Sequence, residues 1–409
     1  MINLEVPAKL RELVGQAHHV ATSVFRPISR KYDLAEHSYP RELDMLAAVL
    51  DGLAASGRGG AHGAASVRRD GEGGKDGSGR SGTVRNGANL ATLLGMMELC
   101  WGDVGLLLTL PRQGLGNSAI AAVADEEQAG RFAGKWAAMA ITEPGCGSDS
   151  AAIRTTARRD GDHYVLNGEK IFVTSGARAD AVVVWATLDR TKGRGAIKSF
   201  VVEKGTPGMT VVRCEDKLGI RASDTATIHL QDCRVPAHNL LGSPEIQPEL
   251  GFTGVMQTFD NTRPLVAGMA VGVARAALER TRELLEQAGV AVDYDRPAHI
   301  QPAAAAAYLA MEADWEAAYL LTLRAAWMAD NGRPNSMQAS MAKAKAGRMA
   351  TEVTLRCVEL CGAAGYSEHE LLEKWARDAK IMDIFEGTQQ IQQLIVARRL
   401  LGKTSAELR

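Results

Sequence analysis

Near the end of the chain a carboxylate stands in dry company. Ile381, Met382, Ile384 and Phe385 precede Glu386, and Gly387 follows it. A carboxylate withdrawn from water holds its proton more tightly and becomes a base suited to a weak carbon acid near neutral pH. The neighbouring glycine permits unusual backbone angles and close approach by a ligand. On its own, such a residue is more commonly a helix-end carboxylate on a solvated face. Two further segments gather hydroxyls, glycines and apolar residues. One is Met139, Ala140, Ile141, Thr142, Glu143, Pro144, Gly145, Cys146, Gly147, Ser148 and Asp149. The other runs from Leu166 through Asn167, Gly168, Lys170, Phe172, Val173 and Thr174 to Gly176.

Several common chemistries have no sequence basis here. No glycine-rich dinucleotide fingerprint follows a strand, and no phosphate loop, HExxH or GxSxG appears. The nine histidines are scattered, and His18 and His19 lack a ligand one turn further on. The six cysteines contain no CxxC. Cys357 and Cys361 share a helix face and read as buried structural thiols.

Five segments in order resemble the acyl-CoA dehydrogenase family. The loop 139–149 is similar to xCxTEPxAGSD, and 166–176 to NGxKxWITNG. Lys217–Asp224 with Val235 and Pro236 is similar to KxGxRxSDT…VRVP. Phe259, Asp260, Asn261, Thr262, Arg263 and Pro264 form the fourth. Arg377–Gln392, with its Phe385-Glu386-Gly387-Thr388 core, resembles RDAKxxxIYEGTxxIQ. The resemblance covers roughly 90–405.

It implies an FAD enzyme that oxidises an acyl-CoA at the α,β bond, with Glu386 taking the α-proton and the flavin the β-hydride. Met139, Ile141, Thr142, Gly147, Ser148, Phe172, Val173 and Thr174 would line the flavin, Phe172 standing where the family usually has Trp. Glu359, Gly362, Gly387, Thr388 and Gln390 would meet the phosphate and adenosine side. Ser148, Phe259, Asp260, Arg263 and Phe385 would touch the substrate; Arg263 reads equally as a structural ion-pair arginine. Relatives that move the base to the position before this arginine need an acid there, and this chain has Thr262. An electron-transfer flavoprotein is the implied acceptor, and a homotetramer or homodimer the implied assembly. The alternatives are an oxidase or monooxygenase on the same fold, and a non-catalytic flavin-binding or nucleic-acid-binding homologue. The chain departs from the family at 290–297, where an RxxFG segment is missing, and at Glu359, where glutamine is usual.

The elements expected to position these residues form an α+β plan. An N-terminal helical domain covers 1–137, a small antiparallel β domain 138–247, and a C-terminal four-helix bundle 248–409. Leu10, Leu13, Val14, Ala17, Val20, Ala21 and Val24 paint one helix face, and Pro27 should end or bend that helix. A second helix runs from Tyr39 and Pro40 through Leu53, and others over 89–109 and 126–136. Residues 56–88, rich in glycine and charge, read as a flexible loop. Between them 163–166 and 170–174 should be a hairpin turning at Asn167-Gly168. Further strands are expected at 181–186, 199–202, 209–212 and 225–230. A long helix should span 336–362, stopping at the glycines before Gly365, with a last pair over 368–384 and 389–401.

Composition bounds the rest. The 409 residues are 46% hydrophobic and 23% charged, with a net charge of −1. No basic field selects nucleic acid or an anionic membrane. No apolar run approaches the ~20 residues of a membrane helix, no secretory leader is legible, and unpaired cysteines fit a reducing, cytoplasmic location.

Overall fold

In a computed structural model, the described residues are 5–55, 87–111, 114–246, 253–404 and 407. The expected loop at 56–88 lies almost wholly outside them; its last two residues, Gly87 and Ala88, open a helix.

The N-terminal apolar stripe folds as α1 (Arg11–Val20), a wider-turned segment Ala21–Phe25, and α2 (Arg26–Leu34). Pro27 does not end the helix. The backbone stays helical through Phe25 and Arg26, and the wider turn Ala21–Phe25 just before the proline accommodates its missing N–H. Next come α3 (Glu42–Ala55), α4 (Ala88–Leu107), α5 (Leu115–Val123) and α6 (Glu126–Arg131). The 20-residue α4 is apolar and long enough to cross a membrane, contrary to the sequence expectation. Its central window is 89% buried inside the protein, as a core helix would be. At Asp103 its backbone leaves helical geometry, and the Asp103 carboxylate recaps the next turn by accepting from Leu106 N at 2.8 Å.

The strands are β1 (Ala137–Ala140), β2 (Thr156–Asp160), β3 (His163–Thr174), β4 (Ala181–Thr187), β5 (Ile197–Glu203), β6 (Met209–Cys214) and β7 (Thr225–Pro236). They lie in the order β1-β4-β2-β3-β7-β6, with β5 also on β4. The sheet is mixed rather than antiparallel, because β1 and β2 both run parallel to β4. All seven β4 residues are buried, as its unbroken apolar run demands. Val182, Val184 and Ala186 enter one core and Ala181, Val183 and Trp185 the other.

The expected hairpin at Asn167-Gly168 is a bulge instead. Strand β3 runs straight through it, pairing with β7 on either side of a register shift. The turn falls at Gly161 (φ +61°), between β2 and β3. Gly168 is needed for a different reason: a Cβ there would sit 2.8 Å from Thr155 Cα.

The C-terminal half holds α7 (Thr253–Gln287), α8 (Ala303–Asp330), α9 (Ser336–Tyr366), α10 (Leu372–Ala379) and α11 (Gln389–Leu401). Helix α9 is central, packing on α7, α8, α10 and α11. It passes through the expected glycine stop, breaking geometry only at Gly362 (φ +53°). Helix α4 packs on α7, so N- and C-terminal helices share one continuous core.

Candidate active site

Between Lys380–Asp383, a short 3-10 turn, and α11 the chain makes an abrupt corner. Glu386 (φ +57°) and Gly387 (φ +89°) are both left-handed. That conformation costs a non-glycine residue ~1–2 kcal/mol and persists only where the surroundings impose it. Here Gln392, from the first turn of α11, donates its amide to Glu386 O at 2.9 Å and Gly387 O at 3.2 Å. Lys343 of α9 donates to Gly387 O at 2.6 Å. A Cβ on residue 387 would meet Gln392 Nε2 at 2.5 Å, so glycine is required. Thr388 caps α11, accepting from Ile391 N at 3.4 Å.

The corner aims the Glu386 carboxylate at α7, where Thr262 Oγ1 donates to Oε2 at 2.8 Å. By surface area Glu386 is half-buried, yet its carboxyl is enveloped by protein at longer range. Burial pushes its pKa above the ordinary carboxylate range, against the Thr262 hydrogen bond and the positive charges of Arg263 and Lys343. Thr262 and Arg263 are themselves buried.

A second group of expected residues meets on the sheet. Ile171 N donates to Thr142 O at 2.9 Å, while Lys170 Nζ donates to Ile141 O at 3.1 Å and pairs with Glu143 Oε1 at 2.8 Å. Glu143 also accepts from Arg154 N (2.6 Å), Thr155 N (3.0 Å) and Thr155 Oγ1 (2.6 Å). Loop 139–148 and the end of β3 are thereby locked together around one buried ion pair. On the outside of this joint Phe172, left-handed (φ +56°), is 61% exposed. Met139, Ile141, Thr142 and Thr174 are half-buried, and Gly147 and Ser148 exposed. Val173 faces inward and belongs to the sheet core, leaving only its backbone at this surface.

Other expected residues lie elsewhere. Phe259 and Asp260 are in α7, in the part whose side chains fall outside the described ones. Phe385 packs on the helical core, and Gln390 is exposed at the start of α11. Glu359 and Gly362 are exposed at the far end of α9; at 1.5 Å rise per residue, Glu359 is about 24 Å along the axis from Lys343. Glu359 is ion-paired with Arg356. A cavity of ≈ 490 Å³ lined by Tyr39, Trp136, Arg178, Asp180 and Lys204 opens where β1 begins, with none of these residues in its wall. Among the described residues one cluster, Glu36, His37 and Asp216, has metal-like spacing; Asp216 is exposed.

Sequence reasoning missed Lys343 and Gln392. Lys343 carried a legible signal: it falls on the inward stripe of α9 with Ala339, Ala342, Ala346, Met349, Ala350 and Val353, all buried. A charge in such a stripe needs a partner.

Comparison with known proteins joins both groups. Residues 138–233 match the acyl-CoA dehydrogenase middle-domain model and 249–401 the acyl-CoA dehydrogenase C-terminal-domain model. The mouse mitochondrial short-chain specific acyl-CoA dehydrogenase is 41% identical over 264 residues, 64% of this chain and 62% of the relative. The cyclohex-1-ene-1-carbonyl-CoA dehydrogenase of Geobacter metallireducens is 40% identical over 281 residues, 66% of this chain and 70% of the relative. Among solved structures, butyryl-CoA dehydrogenase from Megasphaera elsdenii superposes with a TM-score of 0.82 at 31% identity, covering 98% of this chain and 100% of that one. By two family models, sequence and fold, the chain belongs to the acyl-CoA dehydrogenase family.

Proposed function

We propose that the protein binds FAD and dehydrogenates an acyl-CoA thioester to the trans-2-enoyl-CoA, with Glu386 as the base. The observation that carries the reading is the Glu386 carboxylate. It is held on a clamped left-handed corner, is raised in pKa by burial, and is hydrogen-bonded by Thr262 beside Arg263.

The residues present fit a flavin. An exposed aromatic ring in a strained backbone conformation, bordered by half-buried Met139, Ile141, Thr142 and Thr174, is an unfavourable water-facing surface and a favourable cover for a planar apolar ring. These residues, with Gly147, Ser148 and the Val173 backbone, would hold the ring. Gly387, Thr388 and Gln390 would meet the phosphate and adenosine side. When bound, FAD supplies the two-electron acceptor that takes hydride from the β-carbon.

The chain supplies the rest. Glu386 accepts the α-proton as the C–H pair becomes the new double bond, and a raised pKa brings it closer to that carbon acid. The Glu386 N–H, oriented by the same corner, donates to the thioester oxygen and stabilises its growing charge. Ser148 and the α7 run ending at Arg263 contact the CoA portion. An electron-transfer flavoprotein is the proposed acceptor. A solved chain from the structural study of the electron transferring flavoprotein of Acidaminococcus fermentans superposes at TM-score 0.78 and 30% identity. Exposed Leu394, Leu400 and Leu401 on α11 support a homotetramer or homodimer. Six free thiols support a cytoplasmic location.

Anaerobic addition of straight-chain acyl-CoAs to the purified yellow protein tests the reading. Bleaching of the flavin absorbance with formation of enoyl-CoA is expected; persistent colour with every thioester would refute it.

A further inference from the structure

We infer that Lys343 and Gln392 form a two-sided clamp that positions Glu386 for proton transfer, Gln392 fixing its geometry and Lys343 its charge. The inference rests on Glu386 being the base. Both residues are almost fully buried, Lys343 at 1% exposed and Gln392 at 0%, and they come from different helices, α9 and α11. Their targets are the two carbonyls that follow the base in the chain. Both Gln392 acceptors are carbonyls, so only its NH₂ end can face them and its amide orientation is settled. On either side of the corner the chain is helical. The amide holds the two carbonyls of two successive left-handed residues against the pull to continue as helix.

Lys343 acts through charge as well as its hydrogen bond. The charged groups around it are Asp383 from the 3-10 turn, Glu386 from the corner and Arg263 from α7. Burial pushes its pKa down to about 8, so it is cationic through the neutral range. There it lowers the pKa of Glu386, opposing the burial that raises it. The base is thus kept ionised enough to accept a proton while staying basic enough to want one.

Two variants separate the halves. Lys343→Gln keeps a donor toward Gly387 O and removes the charge. Gln392→Leu keeps the charge and removes the donor. The Glu386 carboxyl is followed by infrared difference titration, its band identified by disappearance in Glu386→Gln. Its midpoint should move up by about one pH unit in Lys343→Gln, the effect of losing one nearby opposite charge, and stay put in Gln392→Leu. Flavin reduction by butyryl-CoA should slow roughly ten- to a hundredfold at every pH in Gln392→Leu, the penalty of a displaced base. In Lys343→Gln the loss of rate should be largest on the acid side, tracking the raised midpoint of the Glu386 carboxyl. An unmoved midpoint in Lys343→Gln, or reduction by Gln392→Leu within twofold of the unmodified protein, would overturn the clamp. The titration needs no turnover. Should Glu386→Gln still bleach with acyl-CoA, the parent reading fails; should it not, and the midpoint stay unmoved, the clamp alone fails.

Discussion

Burial and pairing pull Glu386 in opposite directions, and burial wins. A carboxyl whose folded pKa lies above its unfolded value is stabilising where it is neutral, below the unfolded pKa. That contribution is lost as pH rises through the folded pKa. Glu386→Gln should therefore melt at a higher temperature than the unmodified protein at neutral pH, and the advantage should vanish in acid, where both side chains are uncharged. An equal difference at both pH values would contradict the raised pKa. Thr262→Val removes the hydroxyl that favours the ionised form. It should cost about 1.5–3 kcal/mol in urea unfolding, as hydrogen bonds to charged groups do, and move the acid limb of activity upward. Apolar neighbours and an adjacent glycine alone more commonly mark a helix-end carboxylate, and it was the resemblance of Phe385-Glu386-Gly387-Thr388 to the family's segment that singled out Glu386 as the proposed base. Its supports were not legible, because Gln392 reaches the Glu386 carbonyl from six positions away and Lys343 the Gly387 carbonyl from forty-four.

At the scale of elements, the joint between loop 139–148 and β3 depends on the Lys170–Glu143 pair, nearly inaccessible on both sides. Burial lowers the Lys170 pKa, while Lys170 and its hydrogen bonds hold Glu143 below its usual value despite burial. Lys170→Met would strand a buried carboxylate and should cost about 3–5 kcal/mol in thermal or urea unfolding. The double variant Lys170→Met/Glu143→Gln should recover part of that loss, and a neutral Lys170→Met would contradict the pair's role. Strand identity was readable where residues alternate or run apolar, as in β4. The polar run Thr156–Asp160 hid β2, whose pairing with β3 is set by tertiary contact and not by pattern. Asn167-Gly168 misled because the same dipeptide serves a turn or a bulge. Here Asn167 Oδ1 accepts from Asp232 N at 2.8 Å across the bulge, a contact no local pattern reveals.

Across the whole molecule, the loop before β7 and both sets of helices meet at one buried cluster. Lys374 of α10 donates to Asp103 at 2.8 Å and to Asp378 at 2.5 Å, Ser29 of α2 donates to Asp103, and Ile220 N, from the loop before β7, donates to Asp378 at 2.5 Å. The two carboxylates hold the Lys374 pKa above its ordinary value in spite of burial. Lys374→Met leaves both acids buried without their cation, and a loss of about 3–5 kcal/mol is expected, seen as a lower Tm and eased by mild acid. The order of elements was legible because five motifs recur in sequence order, and the mixed direction of the sheet was not, because parallel β1–β4 and β2–β4 pairing joins segments far apart in the chain.

The account stands on the carboxyl of residue 386, and anaerobic titration of the unmodified protein and Glu386→Gln with butyryl-CoA addresses it directly. The unmodified protein should bleach, whereas Glu386→Gln should stay yellow and reduce at least a hundredfold more slowly, the scale of a lost general base. Bleaching of Glu386→Gln at the unmodified rate would contradict the account.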